Sequence, residues 1–466
     1  MNDFFTLMKS ELVITGIIFL LLFIKLGSQI KNSALLLIIQ NLLLLNLAAG
    51  FFFNVEGDLF GGMFHTNEMI VFQKSILNLG VYLISLLFTG WFNKTEYLPE
   101  FFILMLSALL GLDLLISSGN FLIFFLSLEL ATIPLAAMAN FDLEKKISSE
   151  AAMKMILSSA FSSGILLFGI SLIYGATGTI NFAELPATLD GSPLQILAFV
   201  FLITSFAFKL SIVPFHLWTA DVYEGAPIAA TSFLSVISKG AIAFIFISVL
   251  YKVFQPMHEA WYNMVMLLSI ITMIIGNLFA LRQLNIKRFL AFSSIAQVGF
   301  ILVGITGNST EGITSVVYFI LIYTFSNLAA FGVASAISYQ TDKEKIDDYK
   351  GLYKTNPLLS WIMALALFSL AGIPPTAGFF GKLFLLTAGA ANANYGFVLI
   401  AALNMIVSLY YYLRVIRSMF MDKNEQPIEK INIYPSTKFA LIICCTGIIF
   451  VGMLSWIYDY IQSLNV

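Results

Sequence analysis

Residues 194–216 read LQILAFVFLITSFAFKLSIVPFH. The run from Leu194 to Phe208 is almost wholly apolar; Lys209, Pro214 and His216 then follow in quick succession. A bilayer-spanning helix needs about 20 mostly apolar residues. Proline removes a helical N–H and clashes with the preceding turn. Backbone groups freed at membrane depth must face protein or a wet cavity. The stretch therefore reads as a broken transmembrane helix with a lysine beside its break. A second such stretch, Leu370 to Lys382, reads LAGIPPTAGFFGK and sets Pro374 and Pro375 before Lys382.

The rest of the chain suits these two stretches. Of 466 residues, 59% are hydrophobic and 11% charged, and mean hydropathy is +0.92. A soluble domain carries about 25% charged residues. Fourteen candidate spans begin near Glu11, Ala34, Val71, Phe101, Phe121, Ala151, Leu194, Pro227, Trp261, Arg288, Ile313, Pro357, Asn392 and Lys438. With the loops numbered alternately, only Lys9, Lys74 and Lys252 fall on the side of the N-terminus. Lys209, Lys239 and Lys382 fall inside spans, and all the other lysines and arginines lie on the opposite side. The positive-inside rule makes that opposite side the cytoplasm and turns both termini outward. The first apolar run, from Leu12, lacks a small-residue cleavage pattern and reads as a retained span.

Composition also narrows the chemistry. Net charge is −2 and no basic tract stands out, so nothing points to nucleic acid. Cys444 and Cys445 are adjacent in an apolar run and read as packing residues, because adjacent cysteines strain to reach disulfide geometry. Two cysteines and three histidines supply no Cys₄ iron–sulfur site and no obvious paired-histidine haem site. The expectation is a chain with no bound cofactor and no metal. Charges inside spans are another matter: each costs about 2.5–3.5 kcal/mol at a helix centre. Glu129, Lys209, Lys239 and Lys382 are such charges. Structural ion pairing alone would leave three cations for one obvious anion.

The two breaks lie five spans apart. Spans 4–8 and 9–13 thus read as two five-helix units with broken helices 7 and 12, and an odd number of spans per unit inverts the second copy. The expected architecture is an all-α polytopic membrane protein of about fourteen transmembrane helices. It divides into an N-terminal three-helix segment (1–100), a first five-helix unit (101–256), a second, inverted one (257–420), and a C-terminal loop and helix (421–466). Residue identity does not display the repeat, and the order of lysine and proline differs between the two breaks.

Several further stretches resemble the antiporter-like membrane subunits of respiratory complex I. They are Ser127-Leu128-Glu129-Leu130, Glu150 to Lys154, Ile173 to Gly178, the long run Phe208 to Lys239, Gly276 to Arg282, Asn285 to Arg288 and Ser369 to Lys382. Together they cover most of the chain from Glu129 to Lys382. The modest length and the lysine at 382 set this chain apart from the family's L and M members. The resemblance implies proton translocation coupled to quinone reduction in other subunits. Within it, Glu129 matches the carboxylate that pairs with Lys209, Lys239 matches the lysine at the channel centre, and Lys382 matches the lysine of the outlet half-channel. It also implies a complex using NADH, FMN, iron–sulfur clusters and quinone, none bound by this chain. The implied partners are other membrane-arm subunits, with antiporter-like M and the small subunit K as neighbours, and a peripheral redox arm. The implied location is the bacterial cytoplasmic (inner) membrane with periplasmic termini. One position departs: Gln297 stands where many relatives carry a histidine, and an amide does not titrate. A subunit of a cation/proton antiporter, or of a related complex with another electron donor, fits the same residues.

Lesser positions carry two readings each. His216, just past the first break, either passes protons at the cytoplasmic end or caps the broken helix. Asp221 and Glu224 read as solvated surface or a subunit contact. Asp113 reads as reaching interfacial water, and Tyr410-Tyr411-Tyr412 with Arg414 as an interfacial anchor.

Overall fold

The structure is a computed structural model and describes residues 2–27, 30–50 and 56–465. The main helices are α1 (Lys9–Leu26), α2 (Asn32–Ala49), α3 (Glu68–Leu87), α4 (Leu98–Ile116), α5 (Phe121–Ala139), α6 (Lys146–Thr177), the halves α7a (Pro193–Leu210) and α7b (Leu217–Gly225), and α8 (Ile228–Val253). There follow α9 (His258–Arg282), α10 (Ile286–Ile305), α11 (Thr310–Thr341), the halves α12a (Pro357–Ala371) and α12b (Ala377–Gly389), α13 (Tyr395–Phe420) and α14 (Pro435–Met453). A short antiparallel hairpin, β1 (Gly57–Leu59) and β2 (Phe64–Thr66), joins α2 to α3.

Among the described residues, twelve helices are long and apolar enough to cross a membrane. The two other expected spans fall on α1, which carries Lys9, Glu11 and Lys25, and on the interrupted pair α12a–α12b. The two spans with proline beside a buried lysine are broken as the sequence indicated, whereas α5 runs unbroken through Pro134. Lys74, counted with the loops from sequence, instead lies inside α3 and is buried, as is Glu11 in α1.

The apolar residues run right round most helices, so burial has to come from position in the bundle. α10 and α11 are buried along nearly their whole length and α8 almost as fully. By contrast, α2, α6, α13 and α14 bury about a third of theirs and present the remaining face outward. The core is therefore a central group, α8, α10 and α11, walled by the more peripheral helices.

The internal repeat that residue identity hides is plain in the backbone. Asn120 caps α5 by accepting the Ile123 N–H at 2.8 Å, and Asn285 caps α10 by accepting that of Lys287 at 2.8 Å. Before α5, Gly119–Phe121 pairs with Ile180–Phe182, through Phe121 N to Ile180 O (3.1 Å) and Phe182 N to Gly119 O (2.9 Å). Before α10, Leu284–Ile286 pairs in the same way with Glu344–Ile346, at 2.8 Å for each bond. α6 and α11 are each 32 residues long and end at a residue in the left-handed region, Gly178 and Asp342.

Helix contacts repeat too. A Cβ on Gly111 would stand 2.6 Å from the backbone nitrogen of Ala131; one on Gly276 would stand 2.7 Å from that of Ala296. One constant shift in numbering carries Gly111, Asn120 and Ala131 onto Gly276, Asn285 and Ala296. Small residues let membrane helices approach backbone to backbone. Valine at position 276 forces α9 off α10. The expected loss is about 1–3 kcal/mol, read as a lowered melting temperature of the detergent-extracted protein, with Gly164→Ala, at an open position on α6, as the neutral control.

Candidate proton-transfer site

Both broken helices end in the same way. α7a closes with Ser211 in the left-handed region (φ 63°), and Ile212 N donates to Ala207 O at 2.7 Å. α12a closes with Gly372 (φ 87°), and Ile373 N donates to Phe368 O at 3.0 Å. A side chain at 372 would also meet Lys382, whose Cδ lies 3.1 Å from the Cβ position. Each break leaves carbonyls without a helical donor. At the first, Phe208 O accepts the Trp218 indole N–H at 3.1 Å, and Val213 N donates to Thr272 Oγ1 on α9 at 3.1 Å. At the second, Leu370 O accepts Lys382 Nζ at 2.7 Å and Gln297 Nε2 at 2.9 Å.

The four charged residues sit in this framework as follows. Glu129, on α5, is half-buried and accepts a hydrogen bond from Ser163 on α6. Lys209 donates to Thr132 Oγ1 at 2.8 Å. Both flank the first break, with no ion pair between them; Glu129 nonetheless lies within electrostatic reach of Lys209. Beside Lys209 a cavity of about 20 Å³, lined by Thr132, Ser159 and Ser238, has room for one water molecule. Lys239 follows a π-helical stretch, Phe233–Ser238, of the kind frequent at functional positions. It is buried, donates to Ser294 Oγ on α10 at 2.8 Å, and lies 5.5 Å from the centre of the Tyr223 ring. Lys382 is fully buried, bonded to Leu370 O and to Ala371 O (3.3 Å), with its ammonium 4.6 Å from the centre of the Phe300 ring.

Lys239 and Lys382 thus face hydroxyls, carbonyls and aromatic rings in place of anions. The shift that relates α5 to α10 explains this. It carries Glu129 onto Ser294 and Thr132 onto Gln297. The second unit has no carboxylate at the equivalent place, so Lys239 meets a serine there. Gln297 occupies the position of Thr132 and bonds the carbonyl of Leu370.

Other polar side chains join the lysines. Tyr412 exchanges a hydrogen bond with Ser293 and accepts one from Gln297 Nε2 at 3.0 Å. Asn327 donates to Ser235 Oγ at 2.7 Å and to Tyr323 at 2.5 Å. Ser326 and Ser369 bond at 2.7 Å. Sequence reasoning missed Tyr412, Tyr323 and Asn327. Tyr411 and Tyr412 are fully buried, which removes them from the interfacial anchor read from sequence; Tyr410 is exposed. The usable signal was spacing: on α13, positions 404, 408, 411, 412 and 415 fall on one helical face and all are buried.

Three other expectations change. Asp113 is fully buried and bonded to Ser10, away from interfacial water. His216 is buried and makes no capping bond to α7b, which removes its capping role. Asp221 is only partly exposed and is locked to Lys154 (2.6 Å) and Arg288 (2.8 Å), and Glu224 to Arg288 (2.7 Å). These pairs fasten α7b between α6 of the first unit and α10 of the second.

A broken-helix repeat with buried lysines defines a class of ion-translocating membrane subunit, and comparison with known proteins gives the family. Residues 118–408 match the family model described as NADH:quinone oxidoreductase/Mrp antiporter, transmembrane. The chain is 48% identical over 412 residues to NADH-quinone oxidoreductase subunit N of Phocaeicola vulgatus, covering 88% of this chain and 87% of that one. It is 46% identical over 419 residues to the subunit of the same name in Azobacteroides pseudotrichonymphae, covering 89% and 87%. A chain of respiratory complex I from Thermus thermophilus, solved with bound aureothin, superposes with a TM-score of 0.82 at 27% identity, covering 96% of this chain and 97% of that one. The chain belongs to the NADH:quinone oxidoreductase/Mrp antiporter membrane-subunit family.

Arg288→Met removes two ion pairs from the clamp on α7b. Partly exposed networked pairs contribute about 1 kcal/mol, so amide hydrogen exchange across residues 217–225 should quicken several-fold. Arg288→Lys should restore part of the protection.

Proposed function

We propose that this chain is a proton-translocating membrane-arm subunit of an NADH–quinone oxidoreductase, with Glu129, Lys209, Lys239 and Lys382 as the groups that pass the proton. The observation that carries this reading is the setting of Lys239 and Lys382. Among the described residues both ammonium groups are buried without a counter-anion, and each is bonded to oxygens that accept from it, a hydroxyl for Lys239 and carbonyls for Lys382. A permanently charged structural lysine calls for a carboxylate; a lysine that takes and gives a proton does not.

The route runs from Glu129 and Lys209, across the small cavity by Ser159 and Ser238, to Lys239. From Ser294 water bridges to Lys382 past the Ser293–Tyr412 hydroxyl pair, with Gln297, bonded to Tyr412 and to Leu370 O, as a guide and not a carrier. Burial disfavours the charged form of a lysine and a nearby carboxylate favours it. Moving Lys209 from Thr132 to Glu129 would therefore load a proton, and moving it back would release one. Gln297 orients the wire without titrating. His216, buried next to the first break, supplies the entry on the cytoplasmic side.

NADH, FMN, iron–sulfur clusters and quinone belong in this reading to other subunits, and the driving force comes from them. Subunit M and the small subunit K are its neighbours, and the peripheral redox arm is more distant. The protein lies in the bacterial inner membrane with periplasmic termini. Relatives at 46–48% identity bear the oxidoreductase name, which favours this reading over a free-standing cation/proton antiporter.

Two measurements test the route in inverted membrane vesicles. Lys239→Ala should lower NADH-driven pumping per electron roughly tenfold or more in an assembled complex; undiminished pumping sinks the assignment. Tyr412→Phe keeps the ring and removes one hydroxyl. It should slow pumping several-fold with NADH oxidation and assembly intact.

A further inference from the structure

At the N-terminal end of the bundle, away from the lysine route, lies a second group of buried charges. Glu11 on α1 and Lys74 on α3 form an ion pair of 2.5 Å, and both side chains are at least 96% buried. Asp113, on the last turn of α4, is fully buried and accepts from Ser10 Oγ at 3.0 Å, the residue next to Glu11. Asp113 is within electrostatic reach of both Glu11 and Lys74. Asn78 donates to the same Ser10 hydroxyl at 3.1 Å, and Asn46 donates to Asn78 at 3.0 Å. Four helices therefore converge on one polar core.

The charges do not balance. One buried ammonium faces two buried carboxylates. The carboxylates also have spare capacity: Glu11 Oε2 and Asp113 Oδ1 are buried and have no hydrogen-bond partner among the described residues. An uncompensated charge in such a place is costly, and two carboxylates sharing one site do not both ionise readily. Among the described residues, the other charged groups at this end include Lys9, half-buried and within reach of Lys74, Glu68 on α3, the exposed Asp58–His65 pair of the hairpin (2.6 Å), Glu56 just before it, and Lys252, within reach of Asp58.

The hairpin closes over the cluster: the Phe64 ring covers Lys74 at 4.9 Å, and His65 N donates to Ser117 O at 2.8 Å. Beside it a cavity of about 500 Å³ is lined by Asp58, His65, Ile70, Ile116, Ser118 and Lys252. Ile70 lies one turn from Lys74, and Ile116 one turn from Asp113, each on the same helical face.

We infer that Glu11, Lys74 and Asp113 form a proton-binding site separate from the Glu129–Lys382 route, in which the two carboxylates share one proton exchangeable with the cavity beneath the hairpin. The inference does not depend on the pumping role. A pair sharing a proton titrates as a unit, and that gives it a distinctive signature. Removing either carboxylate leaves one carboxylate and one ammonium, which need no proton.

The test is infrared spectroscopy of the intact purified complex in H₂O and D₂O. The wild-type complex should show a deuterium-sensitive protonated-carboxyl band that is lost equally in Asp113→Asn and in Glu11→Gln. Lys74→Met, which leaves two carboxylates and no ammonium, should add one carboxyl equivalent; Glu129→Gln should leave the band in place. A band unchanged in both carboxylate variants overturns the inference, as does a band lost in only one of them. Should either variant fail to assemble, Ser10→Ala keeps all three ionisable groups and should shift the band by removing the bond to Asp113; an unshifted band then overturns the proposal.

Discussion

The structure turns on the need to satisfy backbone groups where a membrane helix is interrupted. No water is at hand inside a bilayer to do so. At the second break, Lys382 and Gln297 both bond Leu370 O. At the first, the Trp218 indole bonds Phe208 O. The breaks thus create acceptors within the protein, and a buried ammonium needs acceptors. At the second break lysine and broken helix solve each other's problem; at the first, Lys209 bonds Thr132 on α5 instead.

The central helices supply the remaining partners. α8, α10 and α11 are enclosed on nearly every side, so each hydroxyl and amide on them must find a protein or water partner. The result is a series of separate polar groups between Lys239 and Lys382: Lys239 with Ser294, Asn327 with Ser235 and Tyr323, and Ser293 with Tyr412 and Gln297, the last of which shares Leu370 O with Lys382. The two ends of this set differ because the repeat is imperfect. A carboxylate occupies position 129 in the first unit and a serine, Ser294, its counterpart in the second. The ion pairs of Asp221, Glu224, Lys154 and Arg288 then tie the two units together near the first break.

The N-terminal helices show the same physics with a different outcome. There the charges are paired more closely, by Lys74 and Glu11, and one carboxylate, Asp113, is left over. The β-hairpin that lids this cluster is held to the α4–α5 turn by backbone bonds from His65 and to Met63 from Gly119. The packing of α1 and α3 on α4 thus doubles as the wall of a polar pocket.

Much of this was legible in the chain itself. Hydropathy and lysine placement located the helices, because a span must be apolar and about 20 residues long whatever surrounds it. Pro214, Pro374 and Pro375, each close to a lysine within a span, announced the breaks; Pro134, with no such neighbour, is carried inside α5. Glu129, Lys209, Lys239 and Lys382 stood out because charge inside a span is rare and costly. What sequence alone could not reveal was anything that depends on which faces meet. The repeat was invisible because it is conserved in caps, glycine contacts and loop pairings, while the side chains at equivalent places differ. Tyr412 looked like a surface anchor although its spacing on α13 placed it on the inward face, and Asp113 and Lys74 looked like residues near water, since helical periodicity is weak when a helix is apolar all round. Only the tertiary structure decided that Tyr412 faces Gln297, that Lys239 faces a serine, and that Asp113 and Lys74 are shut away from solvent, because burial in a membrane bundle is set by neighbouring helices and not by the sequence of any one of them.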